Sequence, residues 1–94
     1  MEEKELMNMI WQITQAYNKK EQVIQTVEEM AELTKELLKN INRGKDNRAD
    51  IVSEMADVYI MLEQMMIYYD INLLELVKEM KRKAERQIKR IKEK

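Results

Sequence analysis

Apolar side chains recur every three to four residues along nearly the whole chain, which is the period of an α-helix. In a first stretch Leu6, Met9, Ile10, Ile13 and Tyr17 fall on one stripe, and in a second Val23, Val27, Met30, Thr34, Leu37, Leu38 and Ile41 do the same. A third stretch departs from this pattern. Fourteen of the nineteen residues from Ile51 to Tyr69 are apolar or aromatic, the exceptions being Ser53, Glu54, Asp57, Glu63 and Gln64. A helix apolar almost all round is expected to be central and buried. A fourth stretch begins with Leu73, Leu74, Leu76 and Val77 and then turns basic, keeping Ile88 and Ile91 as large anchors. Its end is expected to be exposed or packed on a neighbouring subunit.

Three asparagines punctuate these stretches, each followed three positions later by an acid: Asn18 with Glu21, Asn47 with Asp50, Asn72 with Glu75. An Asn side chain accepts from an orphan N–H of the first turn while the acid reaches back, so each pair reads as a helix N-cap. Gly44, the only glycine, can take the left-handed conformation that closes a helix. The reading is four helices, at about 3–17, 19–42, 48–69 and 73–92. Residues 1–94 then form a single all-α domain, a four-helix bundle. At this length a chain buries a modest fraction of its surface, so completion by homo-oligomerisation is expected.

Composition narrows the chemistry. There is no Cys and no His among the 94 residues, which removes disulfides, thiolates, the commonest general base and the usual zinc ligands. No apolar run approaches the ~18 residues of a membrane span, and the acidic start Met1-Glu2-Glu3 is unlike a targeting peptide. A soluble, cytoplasmic protein is expected. Residues 1–77 carry 8 basic and 15 acidic side chains and residues 78–94 carry 9 and 3, so a net charge of -1 hides segments of -7 and +6.

Glu54 and Asp57 lie three apart, on one side of a helix that otherwise wants to be inside. Burying carboxylates is costly unless they are paired, yet no Lys or Arg occurs between Arg48 and Lys78. The second helix lacks both from Glu21 to Thr34 and offers Glu28, Glu29 and Glu32 instead. In an antiparallel hairpin, a rise of ~1.5 Å per residue puts Glu29 and Glu32 at about the level of Asp57 and Glu54. Unit charges about 4 Å apart repel by roughly 4 kcal/mol at an effective dielectric near 20. A divalent cation would turn that opposition into a site, and an all-carboxylate set selects Mg2+ or Mn2+ over Zn2+. The acids of the second helix taken alone read as an ordinary solvated face.

The spelling Glu28-Glu29-Met30-Ala31-Glu32, followed after 21 residues by Glu54-Met55-Ala56-Asp57, resembles the EExxE and ExxD signature of the MazG-like all-α nucleotide pyrophosphohydrolases. The likeness extends to Leu33, the apolar run Val58 to Leu62 and the closing basic helix. The resemblance implies Mg2+-dependent hydrolysis of a nucleoside triphosphate between its α and β phosphorus atoms, clearing non-standard or surplus nucleotides. It assigns Glu29, Glu32, Glu54 and Asp57 as metal ligands and gives Glu28 a water-orienting or supporting part. Lys78 and Arg82, four apart on the last helix, would meet the phosphates, although an Asn often found nearby in the family is missing. Trp11, off the apolar stripe of its helix, would stack on the base or serve a dimer interface. The expected partners are the nucleotide and the chain itself, as a homodimer or a dimer-of-dimers tetramer. Related all-α folds act on dUTP or on phosphoribosyl-ATP, and the motif spacing does not exclude either. A rival reading is a non-enzymatic helical interaction module whose basic tail attracts polyanions. It leaves Glu54 and Asp57 unexplained, and the tail lacks the features of specific nucleic-acid recognition.

Overall fold

A computed structural model describes residues 2–93, which form four helices: α1 (Glu2–Ala16), α2 (Lys19–Arg43), α3 (Arg48–Tyr68) and α4 (Leu73–Lys92). No strand occurs among the described residues, and no helix there is long and apolar enough to cross a membrane. α3 packs chiefly on α2 and secondarily on α1, central as expected, but it is not buried all round: only Val58, Met61 and Gln64 are buried.

The capping residues act largely as their spacing predicts. Asn18 accepts from the Glu21 N–H at 2.8 Å while Glu21 accepts from the Asn18 N–H at 3.3 Å, a complete capping box. Asn72 accepts from Glu75 N–H at 2.8 Å. Gly44 is left-handed at φ 62, and the Lys45 N–H reaches back to Lys39 O. Asn47 departs from expectation: it makes no side-chain cap bond. Its amide instead donates to the Glu36 carbonyl and carboxylate, both at 2.9 Å, and its oxygen accepts from Asn40. Asn47 is 4% exposed, so this bond set ties the α2–α3 turn to the last turns of α2. Asn47→Ala strands those groups out of water and is expected to destabilise the chain by about 2 kcal/mol. Asn18→Ala, which loses only an exposed cap, should cost about 1 kcal/mol. Denaturant midpoints of the two variants check the order.

The second turn is equally defined. Asp70 is left-handed at φ 52, its N–H bonds Ile67 O, and Ile71 N–H bonds Met66 O at 2.9 Å. This is the paired arrangement that closes a helix through a left-handed residue, here without glycine. It fixes the direction in which α4 departs.

Which faces are buried differs from the apolar stripes. Among the less exposed positions of α2, Gln22, Thr26, Glu29, Leu33, Glu36 and Asn40 are spaced alternately four and three apart as at a helix–helix seam, with Val23, Gln25 and Lys39 half-buried beside them. That seam is mostly polar. Of the expected stripe Val23 is half-buried and the rest is outside, with Val27 63% and Ile41 79% exposed and Met30, Leu37 and Leu38 exposed as well. Facing it, α3 buries Val58, Met61 and Gln64, while Val52, Met55, Tyr59 and Leu62 are exposed. Of the α1 stripe only Ile10 is buried; Leu6, Met9 and Tyr17 are not. Inside, Gln22 Nε2 donates to Gln64 Oε1 at 2.7 Å. The Tyr68 hydroxyl reaches the Thr14 and Tyr17 carbonyls at 3.0 and 3.2 Å, joining the end of α1 to α3. α4 has no buried residue.

Candidate metal centre

The polar seam between α2 and α3 fixes which acids meet. Gln22 opposite Gln64 and Glu36 opposite Asn47 set the antiparallel register, and midway between these ties stand Glu29 on one helix and Glu54 and Asp57 on the other. One carboxylate oxygen from each of these three lies within 4.8 Å of the others. Glu29 and Glu54 are half-buried. Glu29 is held by Gln25, whose amide donates to Glu29 Oε1 at 2.8 Å. That positioning group escapes sequence reading, although Gln25 precedes Glu29 by the four residues that let helix side chains meet.

The electrostatics of Glu54 set it apart. Its Oε2 is buried and has no hydrogen-bond partner. Burial raises its pKa above the ordinary carboxylate value, and the charges of Asp57, Glu29, Glu32 and Glu36 push it the same way. All four of these neighbouring charges are carboxylates. None of the ion pairs among the described residues involves Glu29, Glu54 or Asp57. Buried polar oxygens normally find a partner. An orphaned oxygen in a carboxylate triplet without a cation is what a hard dication would satisfy, so the donor set fits Mg2+ or Mn2+.

No family model matches this chain, and no curated protein or solved structure is significantly similar to it.

Of the four expected ligands, Glu29, Glu54 and Asp57 come together, while Glu32 is exposed beside the triplet and bears on Glu54 through its charge. Glu28 is exposed, about 100° around α2 from Glu29 and off the seam. Glu36 lies seven residues beyond Glu29 on the same seam. Its pKa is lowered, first by the hydrogen bond from Asn47 and then by Lys39. It is a structural acid with partners, in contrast to Glu54.

The expected substrate-binding residues are not gathered around these acids within one chain. Trp11, 53% exposed, lines an open hollow of about 590 Å3 with Met7, Glu63, Met66, Ile67 and Leu73 among others. Glu63 follows Glu54 by nine residues, two and a half helical turns, so the hollow lies on the opposite face of α3. Arg82 pairs with Glu79 on its own exposed helix, and Lys78 lines a shallow depression with Asn72, Leu74 and Glu75.

Proposed function

We propose that this chain is a divalent-metal-dependent hydrolase of nucleoside triphosphates that yields the monophosphate and pyrophosphate. The observation that carries the reading is the buried, unpartnered Glu54 oxygen within a triplet of carboxylates that takes part in no ion pair among the described residues. Its support is the chemistry of that triplet together with the likeness of the two acidic motifs to the MazG-like family.

Glu29, Glu54 and Asp57 would hold the ion, with Glu32 one turn from Glu29 joining the set or orienting water. A bound Mg2+ supplies charge neutralisation and polarisation at phosphate oxygens. The reaction needs a water oxygen to bond the α-phosphorus while the bridging P–O bond breaks, pyrophosphate leaving with the electron pair and the water proton passing to a carboxylate. Gln25 holds Glu29 in place. Lys78 and Arg82 are proposed to meet the phosphates and Trp11 the base, in an assembly of more than one chain, since one chain does not gather them around the acids. A homodimer or a dimer of dimers in the cytoplasm is the form proposed. α4 lends some weight to a second reading, an interaction module, because it leaves a whole amphipathic helix uncovered; that reading gives the triplet no role.

The test is a panel of nucleoside triphosphates, dUTP and phosphoribosyl-ATP incubated with Mg2+ or Mn2+, with pyrophosphate and monophosphate measured together. Equimolar appearance of both from at least one nucleotide is expected. No product with any of them under either metal would overturn the proposal.

A further inference from the structure

The acidic part of the chain is not uniformly acidic. Beyond the stretch Glu21 to Thr34, which holds no cation, α2 carries Lys35, Lys39 and Arg43 at successive steps of four residues, a spacing that stacks them along one side of the helix. With Leu38 and Asn42 they line a hollow of about 350 Å3, so three cations and an amide meet there and no carboxylate lines it. Like charges at this spacing weaken a helix. The helix dipole favours cations only at the end, and of the three only Arg43 lies in the last turn. Helix stability therefore does not account for the row.

The row is also held in place. Lys39 is half-buried, and its ammonium meets Glu36 Oε2 at 3.2 Å while the Asn47 amide holds Glu36 Oε1 at 2.9 Å. An ammonium carries three donors, and the chain uses one of them. Lys35 and Arg43 enter no ion pair among the described residues. One cation is thus fixed by a bonded chain that runs back to the buried Asn47, with an unpaired cation one turn to either side. Several oxygens of one polyanion fit such a row, the guanidinium taking two of them at once.

The cations share a flank of α2 with the acids of the candidate metal centre. At about 100° per residue, Glu32, Lys35, Lys39 and Arg43 lie roughly 60, 120, 80 and 40° from Glu29, all in the same rotational sense. Along the axis Lys35 is about 9 Å and Lys39 about 15 Å from Glu29. Helix side chains lean toward the N-terminus, which turns both lysines toward the acids. We propose that Lys35, Lys39 and Arg43 bind the terminal phosphates of a nucleoside triphosphate whose α-phosphate end is met at Glu29, Glu54 and Asp57 of the same chain. The polyphosphate then runs along α2 from the carboxylate triplet to the cation row, and pyrophosphate is received at the hollow. The inference rests on the hydrolase reading and adds to it a phosphate subsite that needs no second chain.

Lys35→Gln with Arg43→Gln removes the two unpaired cations, both exposed, and leaves the Lys39 to Glu36 pair intact, so the helical circular dichroism is expected to stay as in the parent. Lys89→Gln with Arg90→Gln removes the same charge from α4 and serves as the control. Inorganic tripolyphosphate is titrated into the parent and both variants in the presence of Mg2+ by calorimetry, and kcat/KM is measured for whichever nucleotide is turned over. The α2 variant is expected to lose on the order of tenfold in both quantities, and the α4 variant to match the parent. Equal losses in the two variants, or an α2 variant that binds tripolyphosphate as the parent does, would overturn the proposal. The two readings fail separately. If no nucleotide yields product while tripolyphosphate affinity still falls only in the α2 variant, the hydrolase reading is lost and the anion site stands. If a nucleotide is hydrolysed with kcat/KM undiminished in the α2 variant, the subsite is lost and the hydrolase reading stands.

Discussion

Glu54→Gln is expected to raise the thermal midpoint of the metal-free protein at neutral pH, although it alters a half-buried side chain at the main helix–helix contact. The amide has the carboxylate's shape and no charge, so the repulsion from Asp57, Glu29, Glu32 and Glu36 is relieved. The pH dependence follows from the direction of the shift. Because burial and those carboxylates raise the pKa of Glu54 in the folded chain, a proton is retained there that the unfolded chain has released. That contribution is present in full below the ordinary carboxylate value, near pH 4.3, and is lost as pH rises through the raised folded value. The variant and the parent should therefore have the same advantage or none in acid and diverge toward neutrality, with the variant the more stable. Glu36 works in the opposite sense: its pKa is lowered by Asn47 and Lys39, so its contribution is present above the ordinary value and lost as pH falls. Melting curves of Glu54→Gln and Glu36→Gln from acid to neutral pH separate the two. In the proposed enzyme, Glu54→Gln should also lower turnover by on the order of 100-fold or more. A variant less stable than its parent at neutral pH would mean that Glu54 has a partner that holds it.

The second large effect is expected at Gln64, which is 1% exposed and bonded to Gln22 at 2.7 Å. Gln64→Ala opens a cavity and leaves the Gln22 amide without its acceptor, a combined loss of about 3 kcal/mol. For a chain of 94 residues that corresponds to a midpoint lower by roughly 12 °C or more. Gln22→Leu with Gln64→Leu replaces both polar groups by apolar ones and should cost far less than the single change predicts. Thermal melts of Gln22→Leu, Gln64→Leu and the double give the coupling directly. Additive losses would mean that the pair is not a unit of the core.

This pair marks what was and was not legible in the sequence. Helix number and ends followed from local chemistry that needs no tertiary information: the Asn18 box, the Asn72 cap and the left-handed Gly44 all lie within a few residues of the groups they satisfy. Asn47 had the same local spelling but found better partners eleven residues upstream in Glu36, and a long-range bond is invisible to spacing. The choice of buried face was not legible because apolar periodicity identifies the side of a helix that avoids water, without saying which chain covers it. On α2 the seam toward α3 is filled by Gln22, Thr26, Glu29 and Glu36, which have polar partners within the chain, while Val27, Met30 and Ile41 remain outside. The convergence of Glu29, Glu54 and Asp57 was readable because the missing Lys and Arg and the rise per residue constrain it from two directions. Glu32 was less so: it falls outside the seam formed by Gln22, Thr26, Glu29, Leu33, Glu36 and Asn40 and is exposed.

The central claim is that the Glu29, Glu54 and Asp57 carboxylates form one site for a hard dication, and a melting titration of the unmodified chain with MgCl2 at constant ionic strength addresses it most directly. A ligand that binds only the folded state raises the midpoint progressively as its concentration passes the dissociation constant. The account predicts such a rise with Mg2+ or Mn2+ and its disappearance in Asp57→Asn. A midpoint unmoved by either ion, or moved equally in the parent and in Asp57→Asn, would contradict it.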